Sequence, residues 1–531
     1  MTALFQAWPA RVRRWVLTWG LGGLLWGLML VVLQVEVQQA QAPAQARPLQ
    51  PLPCVSYAPF RREGHAPWNA QLHISPEQLR EDLEALRPYT RCVRTYGVSH
   101  GQDQVPAVAA ALGMQVVLGA WIDRDERASR DQIERALALA HDHPGTVVRL
   151  VLGNEVLLRG EQSPHTLAAW LRGARARSPV PVTYADVWEF WRRHATVLSG
   201  SVDLAAIHVL PYWEDQPVGG HEALAHVQAT TQHMREVLHP LPVWLAETGW
   251  PAQGRSRGPA VPSAHTQEAL RWGLLAAGDD FNWIEGFDQP WKRSLEGAMG
   301  GAWGLLTAEG EPRRPGPALP WWWPAVAALG LTVLHRRAWV APTVLVAGTG
   351  AVLAAWQWGL WARTPWEWTQ AVMQWAVVQV AVLGTVMSWI SPRRLPGWPA
   401  VQGLAWAWMA VDLVALCADG RYRSLHSALW WPWVWVQALQ AFQALASPKP
   451  PGLQPAESTV RRLAALAPVL ALSGVVLVAL EGVDNAQALM VSLAALVGAV
   501  VLAWPLLRAG RGPGGRSTAT APPLPRHWRS H

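Results

Sequence analysis

VVRLVLGNE, residues 147–155, is a short apolar run rich in β-branched residues that stops at Gly-Asn-Glu. Its length and composition fit a buried strand whose last residues leave the sheet. Seven more runs of this kind occur: CVSYAPF (54–60), CVRTYGV (92–98), MQVVLGAWI (114–122), VPVTYAD (180–186), VDLAAIHVLPYW (202–213), LPVWLAETGW (241–250) and NWIEGFDQPW (282–291). Helix-period stretches separate them, such as PEQLREDLEALRPY (76–89), RDQIERALALAHDHP (130–144) and SPHTLAAWLRGARARS (163–178). Strands alternating with helices argue for parallel βα units. Eight of them within 47–315 match the size of a (β/α)8 TIM barrel, roughly 250 residues. The expected barrel covers 54–308.

The rest of the chain has another character. Of 531 residues, 51% are hydrophobic and only 15% charged, with 36 tryptophans. Ordinary soluble domains carry roughly 25% charge, so part of this chain belongs in a bilayer. Disorder and collagen-like fibre are excluded by the same figures. The net charge of +7 divides into −4 for 47–315 and +11 for the remainder. The basic excess therefore sits in the apolar parts, where it sets membrane orientation, and a nucleic-acid partner is not expected.

Residues 15–33 are uncharged and long enough to cross a hydrocarbon core, which predicts a signal anchor after a cytoplasmic stretch 1–14. A cleaved signal peptide is the alternative, with AQA at 40–42 as the cleavage site. Residues 34–53 read as a tether and 309–318 as a linker. Region 319–507 reads as an all-α membrane domain of about seven helices, near 319–334, 339–361, 369–390, 399–417, 428–446, 464–480 and 487–507. Residues 508–531 read as a disordered basic cytoplasmic tail. Alternate connections hold Arg336/Arg337, Arg393/Arg394 and Lys449/Arg461/Arg462, whereas the opposite ones hold Arg363 and Arg421/Arg423. The positive-inside rule then puts both termini in the cytoplasm and the barrel on the periplasmic or outer face of a bacterial cytoplasmic (inner) membrane. Tryptophans at 321–323, 366, 368 and 430–431 fit an interfacial belt. Asp412 falls inside a span, where it lines a polar path or serves a helix contact.

Two glutamates stand at strand ends, where a barrel collects its chemistry: Glu155 in GNE and Glu247 in AET. Glycoside hydrolysis needs such a pair across the scissile bond. GNE (153–155), AETGWP (246–251) and DQPWK (288–292), with SYAPF (56–60), RTYG (94–97) and EGAMGGAWGL (296–305), resemble glycoside hydrolase family 17, the 1,3-β-glucanases, and its bacterial membrane-bound β-glucan transglucosylases. The resemblance covers about 54–306. It implies that Glu155 is the acid/base and Glu247 the nucleophile of a retaining mechanism, with carboxyls about 5–5.5 Å apart. It further implies that Asn154 binds the sugar 2-hydroxyl and that Tyr212 orients Glu247, unless Tyr212 is simply buried.

Trp213, Trp250 and Trp291 stack on sugar rings or pack in the rim. Asp288 and Lys292 bind sugar hydroxyls or form a salt bridge. Glu161, Glu189, Glu285 and Glu296 read as solvated or structural. Cys54 and Cys92 begin two strands expected to be neighbours in an oxidising compartment, so they pair as a disulfide or remain two buried thiols. No Cys/His spacing resembles a metal site, no nucleotide fingerprint occurs, and the mechanism requires no cofactor. The expected partners are a β-glucan chain and the lipid bilayer. The expected activity is hydrolysis or transfer on β-1,3-glucan, with β-1,6 linkage formation open. The rival reading is a non-catalytic glucan-binding component of a membrane export or assembly system.

Overall fold

The computed structural model describes residues 50–312, 365–390, 398–446 and 457–509, with scattered positions between 347 and 362. Eight strands run in chain order: β1 (Cys54–Ser56), β2 (Cys92–Arg94), β3 (Gln115–Ala120), β4 (Val147–Asn154), β5 (Val182–Val187), β6 (Ala205–His208), β7 (Val243–Thr248) and β8 (Phe281–Trp283). All neighbours pair in parallel, and β8 returns to β1, closing the barrel. Each strand lies within, or one residue beyond, the run that announced it. Most stop short at the C-terminal end, because the last residues of each run turn out of the ladder to carry the site.

Local chemistry explains the helices between strands. Ser75, Ser163 and Ser263 accept backbone N–H groups of the first turns of Pro76–Leu86, Pro164–Arg175 and Ala264–Ala277. Asp125 does the same for Glu126–Asp142. Each such cap is worth about 1 kcal/mol. Pro76 and Pro164 occupy the first helical position, where no hydrogen bond is lost. The apolar faces of these helices bury against the outer face of the sheet, in one cluster with Val55, Val93, Val116, Leu150 and Ile207. A second, smaller cluster holds Cys54, Cys92, Val117, Val151, Ala206 and Trp244, residues of alternate parity that fill the barrel interior. Cys54 and Cys92 are joined there by a disulfide between β1 and β2.

The barrel extends slightly beyond its expected limits. Leu52, placed in the tether from sequence, is buried and donates its N–H to Tyr89. At the other end Leu306 bridges Pro312, so the first residues of the expected linker belong to the barrel.

In the helical region, four stretches among the described residues are long and apolar enough to cross a membrane: Pro365–Met387, Trp398–Ala418, Val460–Glu481 and Ala486–Leu506. The span expected at 428–446 is also helical, Ser427–Ala446, yet it is not among them. Its apolar character comes largely from tryptophan, and Gln437 and Gln440 interrupt it. Trp430 and Trp431 pack inside the bundle and form no belt, because Trp430 donates to Asp412 at 3.1 Å. Trp366 and Trp368 do stand exposed at a helix start. The spans expected at 15–33 and 319–334, most of 339–361, and residues 510–531 lie outside the described residues.

Candidate active site

The polar end of the barrel interior is built by the same alternation that fills its base. Ser56 follows Cys54 by two residues, Arg94 follows Cys92 and His208 follows Ala206, so each shares its partner's inward face. Glu247 joins them from β7, where the register with β6 shifts, and it is 3% exposed. Glu155 sits just past β4. Gly153 has φ +89° and a Cβ there would lie 2.7 Å from Val156, so only glycine fits. Glu155 itself is left-handed at φ 54°, a strained conformation for a glutamate. The neighbourhood maintains it: the Glu155 N–H donates to Ala185, and Asp186 at the end of β5 accepts the N–H groups of Leu157 and Leu158. The Asp186 carboxyl is raised to about 6 by burial, against the opposing hydrogen bond from Tyr184.

The two catalytic candidates converge on one histidine. Glu155 Oε1 lies 2.9 Å from His208 Nδ1, and Glu247 Oε1 lies 3.6 Å from His208 Nε2. The ligating atoms of all three groups fall within 4.8 Å of one another. Such a trio has the reach of a metal site, but Glu247 Oε1 already accepts Arg94 Nη1 at 2.6 Å and faces the Tyr96 hydroxyl at 2.9 Å. A cation there would compete with a guanidinium at contact distance, so the arrangement suits chemistry on a substrate better than ion binding.

Arg94 organises the site. It is fully buried, and besides Glu247 it donates to the Ala246 carbonyl at 3.0 Å and to Asn154 Oδ1 at 2.6 Å. Burial alone would raise the Glu247 carboxyl, but His208, Arg94 and Lys292 outweigh it and hold the group below its ordinary value. Glu247 is therefore an ionised, nearly solvent-free carboxylate. Burial, reinforced by the charge on Glu247, raises the Tyr96 hydroxyl well above its ordinary value, so it stays a donor.

The structure decides several of the alternatives left open by the sequence. Tyr212 does not touch Glu247; its buried hydroxyl donates to the Arg255 carbonyl at 2.7 Å, and Tyr96 from the RTYG stretch makes the contact expected of it. Trp250 has no exposed surface, so it cannot stack on a sugar; its indole N–H donates to Val261. Trp213 is half-buried, but Trp303 stacks beside it at 6.5 Å and the Arg257 and Arg421 guanidiniums lie 5.3 and 5.6 Å from its ring. Its ring meets protein and offers no open platform. Trp291 does stand at the rim, edge-on to the exposed Trp68 at 5.5 Å.

Lys292 forms a salt bridge with Glu285 at 2.8 Å, and Asp288 accepts the Gly304 N–H at 2.9 Å. Burial raises Glu285 to about 7 even with Lys292 opposing. Glu296, read from sequence as solvated or structural, is likewise raised to about 7 by burial, and the charges of Glu155 and Glu247 add to that.

Arg94, Tyr96 and His208 were not singled out from sequence. The signal was present, since each lies in a quoted strand run at a parity that faces the barrel interior.

A closed parallel barrel with two carboxylates meeting at the C-terminal ends of its strands defines the class: a glycosidase barrel. Residues 54–304 match the BtgE/BtgC glycoside hydrolase domain, and the barrel is similar to glycoside hydrolases of the 1,3-β-glucanase type. The chain is 29% identical over 233 residues to a glucan 1,3-beta-glucosidase of Schizosaccharomyces pombe, covering 40% of this chain and 72% of that protein. It is 26% identical over 241 residues to a glucan 1,3-beta-glucosidase of Candida albicans, covering 41% and 78%. The crystal structure of a glycoside hydrolase family 17 β-1,3-glucanosyltransferase from Rhizomucor miehei aligns with a TM-score of 0.43 at 23% identity, over 50% of this chain and 96% of that one. The three likenesses cover between 40% and 50% of this chain.

Proposed function

We propose that the protein is a membrane-tethered retaining enzyme that cleaves β-1,3-glucan and passes the glycosyl unit to water or to another sugar hydroxyl. The observation that carries this reading is the separation of the acids. Oxygens of Glu155 and Glu247 lie within 4.8 Å, close to the roughly 5–5.5 Å of retaining enzymes. Inverting enzymes hold their carboxyls roughly 6.5–9.5 Å apart to admit a water between them. Glu247, ionised and held by Arg94 and Tyr96, attacks the anomeric carbon while Glu155 protonates the departing oxygen. A glycosyl ester forms on Glu247. Glu155, now a carboxylate, takes a proton from the incoming hydroxyl as that oxygen displaces Glu247 from the anomeric carbon. Arg94 occupies Asn154 Oδ1 and so leaves the amide NH2 as the donor to the sugar 2-hydroxyl.

The β-1,3 preference is supported by the names of the relatives. The placement outside a bacterial cytoplasmic membrane, with both termini inside, is supported by the four apolar helices and by the arginine-poor ends of the bundle. Incubating the full chain in detergent with laminari-oligosaccharides, beside Glu247→Gln, tests the reading. Products longer than the substrate identify a transferase and shorter ones a hydrolase. Identical, unchanged substrate in both samples would instead favour a glucan-binding role.

A further inference from the structure

The helical region does not hang free of the barrel. It touches the loops that follow β6, β7 and β8, all at the catalytic end. Glu481, at the end of Ala467–Glu481, pairs with the buried Arg255. Asn485 donates to the Ser256 carbonyl at 3.1 Å, and Ser256 N–H donates to Gln487 at 3.1 Å. Arg293 donates to the Ala362 carbonyl at 3.3 Å. In the turn between Trp398–Asp419 and Ser427–Ala446, Arg421 donates to the Trp213 carbonyl at 3.0 Å and the Tyr422 ring lies 5.8 Å from the Trp213 ring. These contacts all come from one end of the bundle, the arginine-poor end.

The Tyr422 contact is the most intimate. A Cβ on Gly297 would stand 2.7 Å from the Tyr422 carbonyl, so the turn is pressed onto backbone. Gly297 belongs to the loop after β8, at the strand C-terminal end of the barrel where Glu155 and Glu247 also stand. The turn thus sits against the catalytic end of the barrel. On the opposite side, after β1, β3 and β4, no such cover stands among the described residues: Trp68, Trp121 and Leu158 are 59%, 38% and 45% exposed. Among the described residues, the helical region covers the loops after β6–β8 and leaves apolar side chains exposed on the other side.

We infer that Arg421 and Tyr422 form an end wall of the catalytic cleft, so that the helical region sets how many sugar units of a glucan chain bind on the β6–β8 side. This rests on the glucan reading above. A wall made of a guanidinium and a phenol suits a neutral polyol, offering hydrogen-bond donors and a flat apolar edge.

The test uses the full chain in nanodiscs with two substrates: an aryl β-glucoside, which occupies only the cleavage point, and laminari-oligosaccharides of increasing length. Removing the wall in the double variant Arg421→Ala/Tyr422→Ala changes the ratio of kcat/KM for long over short substrate by about tenfold and shifts products to longer units. Tyr422→Trp, which fills the space further, shifts them to shorter ones. Asn485→Ala, a docking contact in the other turn, leaves that ratio alone. A folded double variant and Tyr422→Trp with the wild-type product ladder would overturn the proposal. So would a parallel fall on both substrates, which marks the turn as a docking contact alone. Wild-type protein inert toward both substrates overturns the glucan reading itself, and the wall with it.

Discussion

Replacing Arg94 by methionine keeps the length of the side chain and removes its charge. In the native site Arg94 Nη1 stands 2.6 Å from Glu247 Oε1, with no exposed surface of its own. At about 4 Å between charge centres and an effective dielectric of about 20, that pair is worth about 4 kcal/mol. His208 and Lys292 also favour the ionised carboxylate, so they retain part of the stabilisation when Arg94 is lost. The net effect on the ionised carboxylate is about 3 kcal/mol, which moves its titration up by about two pH units and lowers kcat/KM chiefly on the acid side. The direction with pH follows. Glu247 is held below its ordinary value and must be ionised to attack, so activity fails as pH falls through its folded value. Without Arg94 the cost of burying the charge weighs more heavily and the acid limb moves to higher pH. Measuring kcat/KM against pH for wild type and Arg94→Met, with circular dichroism to establish folding, checks this. A folded variant whose acid limb has not moved would refute the assignment of Arg94 as the group that keeps Glu247 charged.

Three further outcomes follow from the same geometry. Glu247→Gln abolishes formation of the glycosyl ester, whereas Glu155→Gln slows substrates with poor leaving groups by about 10²–10⁴-fold and spares activated aryl glycosides in the first step; mass spectrometry of a trapped intermediate separates them. Tyr96→Phe lowers kcat by about tenfold, the loss of one hydrogen bond to a charged group, while Tyr212→Phe leaves kcat unchanged and lowers stability by about 1 kcal/mol; steady-state kinetics and melting curves distinguish the two. Opening the Cys54–Cys92 disulfide, which spans 38 residues, costs up to about 4 kcal/mol, read as a drop in melting temperature on reduction or in Cys54→Ser/Cys92→Ser.

The order of β1 to β8 was legible in the chain because parallel strands covered on both faces must be apolar, and apolar β-branched runs stand out between amphipathic helices. Glu155 and Glu247 were legible for a related reason: a carboxylate at the end of a buried run is costly and calls for a purpose. Tyr212 and Trp250 stayed open between cleft and core because a polar aromatic beside a catalytic strand looks the same whether it faces one or the other. Arg94 was passed over because a lone arginine in CVRTYGV gives no sign of its burial. Its value appears only when Asn154 and Glu247, 60 and 153 residues away, meet its two nitrogens.

Local pattern therefore determined the βα repeat, the apolar helices and the two acids, since each depends on neighbours along the chain. Closure of β8 on β1, the bridge of His208 between the acids, and the seating of Arg421 and Tyr422 against Trp213 belong to tertiary structure alone. They are contacts between residues that no periodicity links, and only the packed backbone brings them within a few ångströms.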